Sequence, residues 1–313
     1  MNSMELLLQI LTIVFLFLIG ALTFSFLLAL AERISAWLTE QEEAQEKAAE
    51  SSEGETWQPA KFPFGEIFKG DYVCDACGQV LKIYELIPIF SFLFLKGRCR
   101  VCKAKIRRRQ LVAELAGGLL FELIFFRFGA FPMLKTGFEL RNVVAITAGM
   151  DLRDFGVLIV MFLTLCLLFL VTLIDAQTMI IPNGLSAAML VLGIAGALLL
   201  NDVGIVEHLI GMVTLSLPMF LMILAVPGAF GGGDVKLMVG AGLMLGWKLT
   251  LVAGFLGIVT GGIYAVVLLA AKKAGRKEHF AFGPFLCLGV MIAAVCGQSL
   301  LDGYWALSRG LFF

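Results

Sequence analysis

The sequence predicts an all-α, polytopic membrane protein, and composition, run length and charge placement each lead there. Of 313 residues, 60% are hydrophobic and 15% charged, with a mean hydropathy of +0.95. A soluble domain is nearer half apolar and a quarter charged. Apolar runs approaching the roughly 20 residues that cross a bilayer recur near 6–31, 110–128, 155–175, 184–200, 206–226, 249–271 and 282–301. A shorter one lies near 234–247. The formal net charge of zero conceals a strong segregation of Lys and Arg along the chain, so it excludes no class of partner.

The first run, Leu6 to Ala31, is too long for the core of a secretory signal and has no small-residue cleavage site behind it. It is expected to remain as a membrane helix. Counting the short 234–247 stretch gives eight crossings. One side then holds eighteen Lys/Arg: thirteen in the 32–110 loop, with Lys236, Lys272, Lys273, Arg276 and Lys277. The other side holds six. The positive-inside rule puts the basic side in the cytosol and both termini outside. Seven crossings would export Lys272 to Lys277, so eight is preferred. The expected organisation is a first transmembrane helix (1–31), a cytosolic loop (32–109) and a membrane domain (110–313).

The loop has two parts. Residues 39–56 hold seven Glu against one Lys. They read as a solvated linker, flexible or helical, with an acidic lure for a basic peptide as the functional alternative. Residues 71–109 carry Cys74-x-x-Cys77-Gly78 and Cys99-x-x-Cys102, with 21 residues between the pairs. That approaches the four-thiolate zinc pattern. Disulfides are the competing reading, but a cytosolic loop keeps its thiols reduced. Four thiolates would fill the coordination shell, so the expected metal is structural. Cys166, Cys287 and Cys296 lie in apolar runs and read as small buried or lipid-facing residues.

Two acids stand at the ends of apolar runs: Asp175, in Leu173-Ile-Asp175 … Ile181-Pro182-Asn183, and Asp234, in Phe230-Gly231-Gly232-Gly233-Asp234-Val-Lys236. An acid at a membrane helix end costs several kcal/mol unless paired or wetted, and is a functional hypothesis by default. The glycines suit close approach of another chain, although a turn that merely joins two helices is the plain alternative. In the expected topology both acids reach the cytosolic surface. Two carboxylates that share one proton are what an aspartic protease needs. The competing chemistries are thin. His208 and His279 read as solvated residues in loops or helix ends, no Ser-His pair or zinc-protease motif is present, and no Gly-Lys-Ser/Thr follows the glycines. Glu114 and Glu122 share one helix face in the second run. Glu114 is expected at the interface and Glu122 paired inside the bundle; alternatively one of them lines a polar cavity reaching the aspartates.

On these motifs the chain resembles the bacterial type IV prepilin peptidases, from about Ser25 to Leu288. The matching stretches are Ile174-Asp175 through Pro182-Asn183, Gly231-x-Gly233-Asp234-x-Lys236-Leu237, Phe282-Gly283-Pro284-Phe285-Leu286, Ile87-Pro88 through Cys99, and Arg109 with Glu114 five residues on. The resemblance implies Asp175 and Asp234 as the catalytic pair. It implies Gly231, Gly233, Lys236, Pro182, Asn183 and Glu114 as residues shaping the site, and a zinc ion on Cys74, Cys77, Cys99 and Cys102. It implies cleavage of pilin-like or pseudopilin precursors after a Gly at the cytosolic face of the bacterial inner membrane. Many members also methylate the new N-terminus with S-adenosylmethionine. The expected partners are those precursors and the lipid bilayer, with no nucleic acid. The chain departs from the family at Leu28, Leu86 and Gln110-Leu111, in the N-terminal half and not around the aspartates, and a peptidase without methyltransferase activity is the alternative that these departures leave. Two other classes stay open: an ion- or proton-coupled transporter, which would place acids near the bilayer centre, and a non-catalytic assembly factor that keeps only the fold.

Overall fold

A computed structural model describes residues 3–50, 63, 65, 74, 76–80, 82, 94–105, 108–129, 152–200, 204–226, 230–271 and 281–312. Eight helices account for most of them: α1 (Ser3–Glu50), α2 (Arg108–Ile124), α3 (Leu152–Thr178), α4 (Asn183–Leu200), α5 (Ile205–Thr214), α6 (Ser216–Ala225), α7 (Gly232–Ala270) and α8 (Gly283–Phe312). An isolated β-bridge pairs Arg98 with Lys105. Among the described residues, six stretches are long and apolar enough to cross a membrane, with α5 and α6 together forming one of them. The chain divides into two units, residues 1–126 with 130–148, and 127–129 with 149–313.

In the first unit α1 and α2 pack antiparallel. Small residues let the backbones approach, as in membrane helix pairs generally. Gly20 faces Gly117 and Phe121, Phe24 covers Gly117, and Phe17 covers Gly118. About two turns further along, Glu32 pairs with Arg109. The helix does not stop at Ala31 where the apolar run ends. It continues to Glu50 through Ala-, Glu- and Gln-rich sequence with high helix propensity, adding an exposed Glu43–Lys47 pair at 3.8 Å. Thus the described part of the acidic stretch, 39–50, is helical, while 51–56 lies outside the described residues.

Glu114, expected at the interface, is the one of the two acids that is buried and bonded within the helix pair. Glu114 is 2% exposed and accepts hydrogen bonds from Ser25 Oγ (3.0 Å) and Gln110 Nε2 (3.3 Å). Glu122 is half-exposed. The reason is the antiparallel register: α1 presents Ser25 opposite Glu114, whereas the level of Glu122 falls near apolar Phe17.

The second unit is built around α7. Gly246 takes φ 73°, ψ 166° and interrupts it, leaving a first arm of residues 232–245 and a second of 247–270. That backbone conformation belongs almost exclusively to glycine. The first arm runs parallel to α4: Lys236 meets Asn183, Gly240 meets Met189 and Gly193, and Met244 meets Gly196. The second runs antiparallel to α8, with Leu249 against Gly297, Ala253 against Gly289, Gly257 against Leu286 and Gly261 against Phe282. Gly246 is therefore the tip of a helical hairpin, where the sequence suggests two runs, 234–247 and 249–271. The expected 206–226 run is likewise split. Pro218 has no N–H to offer the Thr214 carbonyl, and α5 gives way to α6 at Leu215.

His208 corrects an expectation. It is 2% exposed rather than solvated, and its Nδ1 lies 2.9 Å from the Leu243 carbonyl oxygen. The break at Gly246 deprives carbonyls near the end of the first arm of their usual helical partners, and the imidazole supplies one. His279 lies outside the described residues.

Candidate active site

Asp175 sits one turn before the end of α3. Thr178 helps end that helix: its hydroxyl donates to the Ile174 carbonyl (3.0 Å) and accepts the Ile180 N–H (3.3 Å). Met179 then takes a left-handed φ of 55°, and its N–H returns to the Asp175 carbonyl at 2.8 Å. The chain crosses through Ile180–Pro182 and enters α4. The Pro182 carbonyl accepts the N–H of Leu185 (3.0 Å) and of Ser186 (3.3 Å).

Asp234 occupies the third position of α7, behind the cap residue Gly231. Its Oδ2 accepts the Gly231 N–H at 3.3 Å, and an acid in the first turn also complements the helix dipole. A purely structural capping role would need only that oxygen. The other, Oδ1, is buried with no hydrogen-bond partner among the described residues, and Asp175 Oδ2 is in the same condition. The residues are 6% and 5% exposed.

These two oxygens converge. A methyl group built on Gly283, the first residue of α8, would overlap Asp175 Oδ2 and lie 3.1 Å from Asp234 Oδ1. Residues 59 positions apart in sequence thus meet at a third element more than 45 residues further on. Around them the other candidates do identifiable work. Gly233 packs against Ile181, where a Cβ would fall 2.8 Å from the Ile181 Cβ. Lys236 Nζ donates to Asn183 Oδ1 at 2.7 Å, tying the first turn of α7 to the first turn of α4. The Phe230 and Phe282 rings, each next to a residue that touches the pair, pack 5.5 Å apart. Glu114 belongs to the other unit and bonds within it.

The four knuckle cysteines also come together. Their sulfurs all lie within 4.8 Å of one another, and Cys74 and Cys102 are 3.8 Å apart. None forms a disulfide. A tetrahedral zinc with Zn–S near 2.3 Å has S–S edges of about 3.8 Å, so this donor set fits such an ion. The two knuckles are copies. Gly78 N–H returns to the Cys74 carbonyl (2.8 Å) and Lys103 N–H to the Cys99 carbonyl (3.1 Å). Lys103 adopts φ 59°, close to the 67° of Gly78, so the second knuckle makes the glycine's turn without a glycine. Amide groups of Cys102 and Val101 hold the Cys99 thiol down at about 7, whereas, against the Ala104 amide, burial and the neighbouring sulfurs push the Cys102 thiol up to about 11.

The sequence reasoning missed Gly283 and His208 as positions of consequence. Gly283 stood only within a motif. His208 had a weak signal in its spacing, sharing one helix face with Gly211 and Leu215, and both of those contact α7.

Residues 18–128 match the family described as the Bacterial Peptidase A24 N-terminal domain, and residues 162–266 match the Type IV leader peptidase family. Three curated relatives bear the name prepilin leader peptidase/N-methyltransferase. The one from Bacillus subtilis (strain 168) is 27% identical over 237 residues, 76% of this chain and 86% of its own. That from Aeromonas salmonicida (strain A449) is 28% identical over 293 residues, 92% of each chain. That from Pseudomonas aeruginosa is 28% identical over 296 residues, covering 92% and 91%. No solved structure matches.

Proposed function

The chain belongs to the type IV leader peptidase family, and from that premise we propose that it is a membrane-embedded aspartic endopeptidase with Asp175 and Asp234 as its dyad. The observation that carries this reading is the convergence at one point beside Gly283 of two buried carboxylate oxygens that have no hydrogen-bond partner among the described residues. Like charges that close cannot both ionise cheaply, so the pair holds one proton between them. The charged carboxylate takes a proton from water as that water attacks the scissile carbonyl carbon. The protonated one donates to the carbonyl oxygen. Collapse of the resulting diol breaks the C–N bond, and a carboxyl proton passes to the leaving amine.

The substrates are pilin-like or pseudopilin precursors, whose basic leader is cut from an apolar helix at the cytosolic face. Eight crossings, with α2 and the two arms of α7 counted separately, put both dyad helix ends and the cysteine knuckles on the Lys/Arg-rich side and both termini outside. The first arm, at about 21 Å, is short for a bilayer. This supports a site that is wetted and reachable by a leader in water. The four thiolates hold a structural zinc, which ties the two knuckles and takes no part in cleavage. The relatives' name carries a second activity, and on that reading the chain also methylates the new N-terminus from S-adenosylmethionine. The test is intact-mass analysis of a purified pilin precursor incubated with the purified chain, with and without S-adenosylmethionine. Loss of a leader-length mass reports cleavage, and a further methyl on the product reports the second step. A precursor of unchanged mass would reject the peptidase reading.

A further inference from the structure

Gly283 is not required by the backbone at its position. Its φ lies outside the left-handed region, and as a helix residue glycine is less favourable than alanine by up to about 1 kcal/mol. What singles it out is its surroundings. The missing side chain would sit against Asp175 Oδ2, 2.9 Å from Asp175 Cγ and 3.1 Å from Asp234 Oδ1. None of the three elements is free to back away. Asp234 is tied to the Gly231 N–H, and Asp175 is buried at the end of α3. The start of α8 is seated against the second arm of α7, where Gly257 meets Phe285 and Leu286, and Gly261 meets Phe282. Phe282 itself caps the helix, its carbonyl accepting the N–H of Phe285 (3.1 Å) and Leu286 (3.2 Å).

We propose that Gly283 is a positioning residue for the dyad, its bare Cα keeping open the space between Asp175 Oδ2 and Asp234 Oδ1 in which the attacking water is held. The inference rests on the peptidase reading and adds a third element to it. The dyad is then built from three chain segments, two that contribute carboxylates and one that contributes room. Both residues are more than nine-tenths buried, and neither facing oxygen has a hydrogen-bond partner among the described residues, so they are aimed into that space. A methyl there would push the carboxylates apart.

The test compares wild type, Gly283→Ala and Gly303→Ala in cleavage of a purified pilin precursor, with thermal unfolding and precursor binding measured on each. Gly303 lies further along the same helix with nothing within 4 Å of its Cβ position, so it controls for the Gly-to-Ala change itself. A misplacement of about 1 Å at reacting groups costs on the order of 100-fold in rate. The expected result for Gly283→Ala is therefore a loss of about that size in kcat. Its KM should stay within about twofold of wild type, with wild-type unfolding and binding, while Gly303→Ala behaves as wild type throughout. Cleavage by Gly283→Ala within about threefold of wild type would overturn the inference alone. Loss of folding or of precursor binding would also overturn it, since Gly283 would then be a packing residue. A wild-type chain that leaves the precursor whole overturns the peptidase reading and this inference with it.

Discussion

Gly231, Gly232 and Gly233 look interchangeable in the sequence, but an added methyl would meet a different neighbour at each. At Gly231 it would lie 3.2 Å from Asp234 Oδ2, at Gly233 2.8 Å from the Ile181 Cβ, and at Gly232 nothing lies within 4 Å. Gly233→Ala is therefore expected to push the α3–α4 connection away from α7 and reduce precursor cleavage at least tenfold, about 1.4 kcal/mol in the barrier. Gly232→Ala should leave cleavage unchanged and raise stability by up to about 1 kcal/mol. Parallel kinetics and thermal unfolding of the two variants check this, and equal losses would mean that the glycines serve flexibility rather than close approach. The same residue-level view separates what was legible from what was not. Asp175 and Asp234 could be singled out because a carboxylate at the end of an apolar run is costly wherever it points. Glu114 and Glu122 could be placed on one helix face, but which of them finds a partner depends on the register of α1, and periodicity does not encode register.

Two elements turn on local geometry with testable cost. The hairpin of α7 depends on Gly246, whose φ 73°, ψ 166° is essentially closed to other residues. Gly246→Ala should destabilise the protein by about 1–3 kcal/mol. His208→Ala would leave the Leu243 carbonyl without its imidazole partner, costing on the order of 1–3 kcal/mol for a buried acceptor. Thermal unfolding reads both, and a neutral His208→Ala would show that this carbonyl is satisfied by other means. The hydropathy pattern located the two arms, but beyond the weak signal of its spacing it did not show what His208 faces, because one polar residue amid an apolar run looks the same whether it faces water or a broken helix. The knuckles are the opposite case. Their spacing announced the four-sulfur cluster, and even Lys103 in place of a glycine preserves the turn. Changing Cys74 and Cys77 to Ser should remove about one zinc per chain and open residues 71–109 to limited proteolysis. Native protein that carries no metal would reject the zinc assignment.

Across the whole molecule, charge and hydropathy made the class and the membrane character readable, because both are properties of long stretches. The meeting of α3, α7 and α8 at one point was not readable from physics alone, since it depends on which helices pack together and in which direction. The acidic end of α1 adds a long-range effect. Its exposed Glu42, Glu43 and Glu46 would draw a basic leader by an attraction screened beyond about 8 Å at physiological salt. Replacing Glu40, Glu42, Glu43, Glu46, Glu50, Glu53 and Glu55 by Gln should raise KM at low salt and converge with the parent at high salt. Matching salt profiles would leave the stretch as a solvated helix. The central claim, a carboxylate dyad of Asp175 and Asp234, is met most directly by intact-mass cleavage kinetics on Asp175→Asn and Asp234→Asn, each isosteric and unable to share the proton. Both variants should insert, unfold at a temperature close to wild type and release no leader, with a rate loss on the order of 10⁴-fold or more. Cleavage near the wild-type rate by either one would contradict the account.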